Sequence, residues 1–245
     1  YLRAAELTEK SLTLSRNLNF KRGVIVSLIL MAYIAHYQGD YDRAYSQAEE
    51  SLTLSTDLEY PRAMAYAKEV FGLGAYAGGD LETAKELLQE ALDIFQKIND
   101  KRSAALSMIN LARTVYRQGD HASAMGFLDE SLSIARKLET RWILGFVLEI
   151  KGLLERSAGN YGRALELFQE SLQFSVEQEN QQGITNCLGA LAGLATMTGQ
   201  PKRAARWFAA ADKLRQKMGA RMGKEDQQEY EGCLYKLRDQ LDEVT

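Results

Sequence analysis

The sequence predicts an all-α solenoid of stacked helix pairs, and three observations carry that expectation. A turn signal recurs every 40 residues without insertion or deletion, at Gly39-Asp40, Gly79-Asp80, Gly119-Asp120, Gly159-Asn160 and Gly199-Gln200. Columns of small residues run in step with it. The 245 residues hold two prolines, and both stand where a helix would begin. Tandem helix pairs cannot bury their apolar faces alone, so each unit must pack on the next and share one continuous core.

Counting 40-residue units from residue 1, each reads as a helix B followed by a helix A. Tyr1 stands where Tyr41 and Tyr161 stand, at the first position of a B helix. The chain thus opens half-way through a helix pair, which predicts that it is a piece of a longer polypeptide. Phase 4 is alanine throughout (Ala4, Ala44, Ala84, Ala124, Ala164, Ala204), and phase 11 is always Ser or Ala. Phase 32 is Ala or Gly (Ala32, Gly72, Ala112, Gly152, Ala192). Such columns mark close approaches between helices A and B.

Within 81–97, Leu81, Ala84, Leu87, Leu88, Ala91, Leu92, Ile94 and Phe95 follow helical three-and-four spacing, opposite Glu82, Lys85, Glu86 and Gln89. Segment 101–118 repeats the pattern with Ala104, Leu106, Met108, Ile109, Leu111, Ala112 and Val115. Gly119 suits a left-handed helix end, and Asp120 suits the cap of the next helix. Pro61 and Pro201 fit first helical positions, where a missing N–H is harmless. The sixth B helix spans 201–218. After Gly219–Gly223 a final helix is predicted from Glu225 to Leu241, with Gln228, Tyr230, Cys233, Leu234, Leu237 and Leu241 on a modest apolar face. The boundaries are therefore 1–220 for the tandem repeats, the first of them truncated, and 221–245 for a capping helix, about twelve helices in all. Segment 201–224 carries eight bases and one acid, and 225–245 seven acids and two bases. The expectation is that the acidic cap partly neutralises the basic helix.

Composition narrows the function. With 30 Lys+Arg against 33 Asp+Glu the net charge is −3, which gives no case for nucleic acid or an anionic membrane. No apolar run reaches the ~18 residues of a membrane span. Two cysteines, Cys187 and Cys233, make neither a disulfide framework nor a zinc site, and a reducing cytoplasm is the expected location. No phosphate-binding Gly-rich loop with Lys-Ser/Thr occurs. His36 and His121 lack a second ligand at metal spacing. Cys187 and Cys233 read as inert buried thiols, His121 as a turn-packing residue, and Glu49-Glu50 as a solvated face. The expectation is a non-catalytic chain without cofactor or metal.

The pattern resembles the tetratricopeptide repeat: a small residue, a Gly-Asp/Asn turn, Ala, a large residue four on, then a small one. One unit shows it as Gly152, Gly159-Asn160-Tyr161, Ala164, Phe168 and Ser171. That family's usual unit is shorter by six residues and carries a proline near its end; polar joints such as Asn99-Asp100-Lys101 replace it here. The tail Ala204-Ala205-Arg206-Trp207-Phe208-Ala209-Ala210-Ala211, with Leu214-Arg215, Met218-Gly219-Ala220 and Tyr230 to Leu237-Arg238, resembles the repeat regions of bacterial STAND-type signalling ATPases and LuxR-like transcription regulators. Glu50-Ser51-Leu52 and its counterparts at 90, 130 and 170 match the same style.

The resemblance implies a right-handed α-α superhelix whose A helices line a concave wall. Carried over in that register, the partner-binding groove would comprise Tyr33, His36 and Tyr37, then Tyr66, Glu69 and Tyr76. The middle repeat would add Asn110, Arg113, Tyr116 and Arg117, and the later ones Glu149, Arg156 and Asn186. Arg113 and Arg117 stand four apart on one face, suited to a partner segment with an acidic residue or exposed carbonyls. Glu69 and Glu149 could instead pair with those arginines. The Lys/Asn clamp of chaperone-tail receptors is absent, its positions holding Ile29/Tyr33, Glu69/Leu73 and Ile109/Arg113. The resemblance thus implies a non-catalytic interaction or sensor domain of a larger bacterial regulator. It would bind a protein, a peptide or other domains of its own polypeptide, with no membrane or direct nucleic-acid contact. The alternative is a stand-alone scaffold or peptide receptor.

Overall fold

The computed structural model describes residues 2–242. Tyr1, and the side chain of Leu241 assigned to the apolar face of the last helix, lie outside the described residues. Twelve helices follow one another: α1 Leu2–Asn17, α2 Lys21–Gln38, α3 Tyr41–Asp57, α4 Pro61–Gly78, α5 Leu81–Lys97, α6 Lys101–Arg117, α7 His121–Lys137, α8 Arg141–Ser157, α9 Tyr161–Glu177, α10 Gln181–Met197, α11 Pro201–Met218 and α12 Lys224–Asp242. No strand occurs among the described residues. No helix among them is long and apolar enough to cross a membrane.

Helix pairs α2/α3, α4/α5, α6/α7, α8/α9 and α10/α11 pack tightest, and each A helix (α2, α4, α6, α8, α10) touches the next. The columns of small residues explain the closeness. Phase-4 alanines are buried from Ala44 to Ala204, as are the large phase-8 residues Leu88, Leu128, Phe168 and Phe208. Phase 32 faces phase 8. A methyl group on Gly72 would meet Leu88, and one on Gly152 would overlap the Phe168 ring. At phase 11 two of the serines are backbone clasps: Ser131 Oγ donates to Ala105 O at 2.8 Å and Ser171 Oγ to Gly145 O at 2.6 Å. A larger side chain would hold the two helices apart.

Two kinds of turn alternate. Between A and B, Gly119 takes φ 85°, and the Asp120 carboxylate accepts the Ser123 N–H at 3.0 Å. Between B and A the left-handed residue is not glycine: Asn19, Glu59, Asn99, Glu139 and Glu179 lie at φ 47–56°. These joints stand where the tetratricopeptide pattern would carry proline. Pro61 and Pro201 open α4 and α11 as expected.

The last helix departs from a simple cap. α12 touches α10 and α11, but also α4 near the other end of the array. Its second half closes the core, with Leu237 buried among Ala192, Ala195, Ala204 and Phe208. Its first half runs across the concave wall.

Candidate functional site

The inward faces of the five A helices surround a cavity of about 510 Å³, partly covered on its open side by the start of α12. All thirteen residues assigned to the groove line it. Tyr33, His36 and Tyr37 come from α2, and Tyr66, Glu69 and Tyr76 from α4. Asn110, Arg113, Tyr116 and Arg117 come from α6, Glu149 and Arg156 from α8, and Asn186 from α10.

Two buried carboxylates organise this wall, each clamped between the A helices before and after its own. Glu69 accepts the Tyr33 hydroxyl at 2.9 Å from α2 and the Asn110 amide at 2.7 Å from α6. Glu149 accepts Arg113 at 3.4 Å from α6 and the Asn186 amide at 3.3 Å from α10. In both clamps the carboxylate is at phase 29 and the first donor at phase 33 of the preceding unit. Phase 29 runs Ile29, Glu69, Ile109, Glu149, Gly189, so the wall varies from unit to unit where the small-residue columns of the core do not.

The two carboxylates differ electrically. Glu69 has no arginine; burial pushes its pKa up to about 7 against the pull of the Tyr33, Asn110 and Ser107 donors. Burial also raises Glu149, but there the Arg113 charge opposes it. Arginine pairing by the acids of the wall thus holds for Glu149 and fails for Glu69. Burial drops His36 to about 4, and its Nδ1 has no hydrogen-bond partner. Its ring packs on Tyr37 and Tyr41. His36 is therefore a neutral wall residue. Around the rim, Tyr66 shares a hydrogen bond with Ser103 at 2.6 Å and Tyr116 with Ser157 at 2.7 Å.

Two acids of the last helix depart from the sequence reading. Asp226 and Glu229 do not turn to the basic α11; they reach Arg117 at 2.8 Å each, and Glu229 also pairs with Arg156. The Tyr76 hydroxyl donates to Asp226 at 3.2 Å, and burial with that carboxylate raises Tyr76 to about 12. Ahead of the helix, the Arg221 N–H donates to Tyr37 O at 2.9 Å, and Gly223 lies against Ala77. Trp142, Phe146 and Gln182 also line the cavity without having been assigned to it. Phe146 shares phase 26 with Tyr66 and Asn186, so the repeat register contained it; residues of α12 have no phase at all.

Other expectations resolve briefly. His121 stacks on Tyr116 at 5.4 Å, a packing residue at the turn. Cys187 is buried beside Ser171, and burial raises its thiol to about 12. Cys233 is half-buried rather than buried: it packs against the Phe208 cluster, lines the cavity, and burial raises its thiol. Among the described residues no three His, Cys, Asp or Glu side chains are placed to hold a metal ion.

Comparison with solved structures agrees with this architecture. BtubC (BKLC) from P. vanneervenii is similar over 91% of this chain and 93% of its own, at 18% identity and TM-score 0.62. The apo form of RapI is similar over 89% and 84%, at 16% identity and TM-score 0.57. A single-residue variant of the nearly identical TPR-like repeats described as a Podosopora anserina putative kinesin light chain is similar over 79% and 95%, at 17% identity and TM-score 0.52. At these identities the likeness is one of fold. No curated protein matches the sequence. The family model described as the MalT-like TPR region matches residues 3–230. With that match covering most of the chain, the protein belongs to the family of MalT-like TPR regions.

Proposed function

We propose that this chain is the non-catalytic interaction or sensor part of a larger cytoplasmic bacterial signalling or transcription regulator, and that its concave wall is the ligand face. One observation carries the reading. Aromatic, amide and charged side chains from five successive A helices converge on a cavity of about 510 Å³. Tyrosine and arginine are the residues that protein grooves use as anchors. The mixed charge of the wall, with Glu69 and Glu149 among its arginines, favours a protein or peptide over a polyanion such as nucleic acid. The repeats themselves fit a protein-interaction role.

Site-specific photocrosslinking in cells tests the face. A crosslinker at Tyr66 or Asn186 should capture a defined protein or another segment of the same polypeptide. The same group at Tyr45, exposed on α3, should not; capture from Tyr45 alone would overturn the groove reading. The complete open reading frame tests the context. A nucleotide-binding module ahead of the repeats is the expected finding, and repeats alone would favour the stand-alone scaffold.

A further inference from the structure

The two halves of α12 are held by different forces. Tyr230, Cys233, Leu234 and Leu237 pack into the apolar cluster around Phe208. The preceding turn contributes no apolar residue to that core. It is fastened by Asp226 and Glu229 to guanidiniums from two A helices, Arg117 of α6 and Arg156 of α8, with Tyr76 of α4 as a third point. Residues three apart on a helix share a face, so one turn presents both carboxylates to the wall together. Arg156 is 8% exposed, and a guanidinium so withdrawn from water requires a carboxylate partner. Arg117 binds one carboxylate through each terminal nitrogen. The pair therefore forms a receptor for two acidic groups at one-turn spacing, within a groove that retains unfilled volume.

We infer that Arg117 and Arg156 recognise an acidic helical segment of a protein partner bearing carboxylates three residues apart, and that Asp226 and Glu229 are an in-chain stand-in which that segment displaces. α12 keeps its apolar anchorage while its first turn lets go. This rests on the concave wall being the ligand face. Glu69 and Glu149 limit the site to a few acidic groups, so a long polyanion is disfavoured.

The probe is a labelled synthetic peptide with the sequence of residues 222–240, titrated by fluorescence anisotropy against the full chain. Asp226→Ala/Glu229→Ala should bind it at least tenfold more tightly than the wild-type chain does. A peptide with Ala at both acidic positions should lose that gain, as should the chain carrying Arg117→Ala in addition. Equal affinity of the wild-type and double-variant chains, or equal binding of the acid-free peptide, overturns the inference. Asp226→Asn/Glu229→Gln, isosteric and uncharged, serves if the alanine pair does not fold. Hydrogen exchange on the wild-type chain gives a second measurement. Raising salt from 0.05 to 0.5 M should speed exchange severalfold at 224–229 and leave 233–240 unchanged; uniform exchange overturns it. Crosslinking from Tyr66 and Asn186 is independent of the two acids. Groove crosslinks without peptide binding would sink this inference alone, and absence of both would sink the groove reading as well.

Discussion

The interior between helix pairs and the concave wall are built from the same 40-residue units, yet they obey different rules. In the interior, phases 4, 11 and 32 hold small residues in unit after unit, because each helix pair meets its neighbour in the same way. On the wall, phase 29 changes between isoleucine, glutamate and glycine. A buried carboxylate needs donors on both sides, and Glu69 and Glu149 draw them from the units before and after their own. Apolar packing is satisfied pairwise; polar burial here takes three helices. The wall is thus the part of the molecule where a single substitution reaches across two repeat junctions.

The largest expected effect tests the interior. Phe168 is fully buried against Gly152, so Phe168→Ala should cost about 3–5 kcal/mol in denaturant unfolding. Gly152→Ala forces a methyl group into the ring and should cost about 1–3 kcal/mol. Their combination should cost less than the sum, since the methyl fills part of the cavity left by the ring. Additive costs would break the size-complementary pairing of phases 8 and 32.

Next comes the wall. Glu69 is 3% exposed and its pKa is raised by burial to about 7 from an ordinary 4.5. The folded chain thus holds this proton more tightly than the unfolded chain. The resulting stability is complete below pH 4.5 and is lost as pH rises through 7. At about 1.4 kcal/mol per pKa unit, Glu69→Gln should gain on the wild type by about 2–3 kcal/mol more at pH 8.5 than at pH 5. Glu229 has the opposite sign: burial opposes its charge, but Arg156 and Arg117 hold its pKa down. Its contribution is present at neutral pH and fades as pH falls through that lowered value. The Glu69→Gln comparison cancels Glu229, which both chains share. A pH-independent difference would show that Glu69 is not the buried unpaired acid of the wall.

The two regions were unequally legible in the sequence. The helix pairs could be read from spacing alone: segment 81–97 is α5 at both ends, and 201–218 is α11. The wall was legible as far as the repeat register reached, since that register supplied all thirteen assigned residues. It could not say that Tyr33 and Asn110 meet at Glu69, because that depends on the superhelical stacking of three units. α12 lies outside the period, so its acids had only charge balance to place them. Charge balance pointed to the nearest bases, on α11, whereas geometry gives Asp226 and Glu229 to Arg117 and Arg156, more than 70 residues earlier.

The smallest expected effect separates two helix starts, one whose preceding residue makes a cap bond and one whose preceding residue does not. Asp100 caps α6, accepting the Ser103 N–H at 3.2 Å and the Ser103 hydroxyl at 3.0 Å, and it also meets Arg62 at 3.0 Å. Asn160 stands before α9 at the other kind of turn, makes no cap bond and turns its amide to Glu155 at 2.8 Å. Cap residues contribute because they satisfy backbone N–H groups that the first helical turn leaves unpaired. Asp100→Ala should therefore cost about 1–2 kcal/mol, and Asn160→Ala less than about 0.5 kcal/mol. Arg62 is half-exposed, so its ion pair adds little. Asp100→Asn keeps the accepting oxygen and loses the charge, and it should recover most of the alanine loss. Recovery would assign the stability to the cap; no recovery would assign it to the Arg62 pair, and would remove capping as the force that fixes the start of α6.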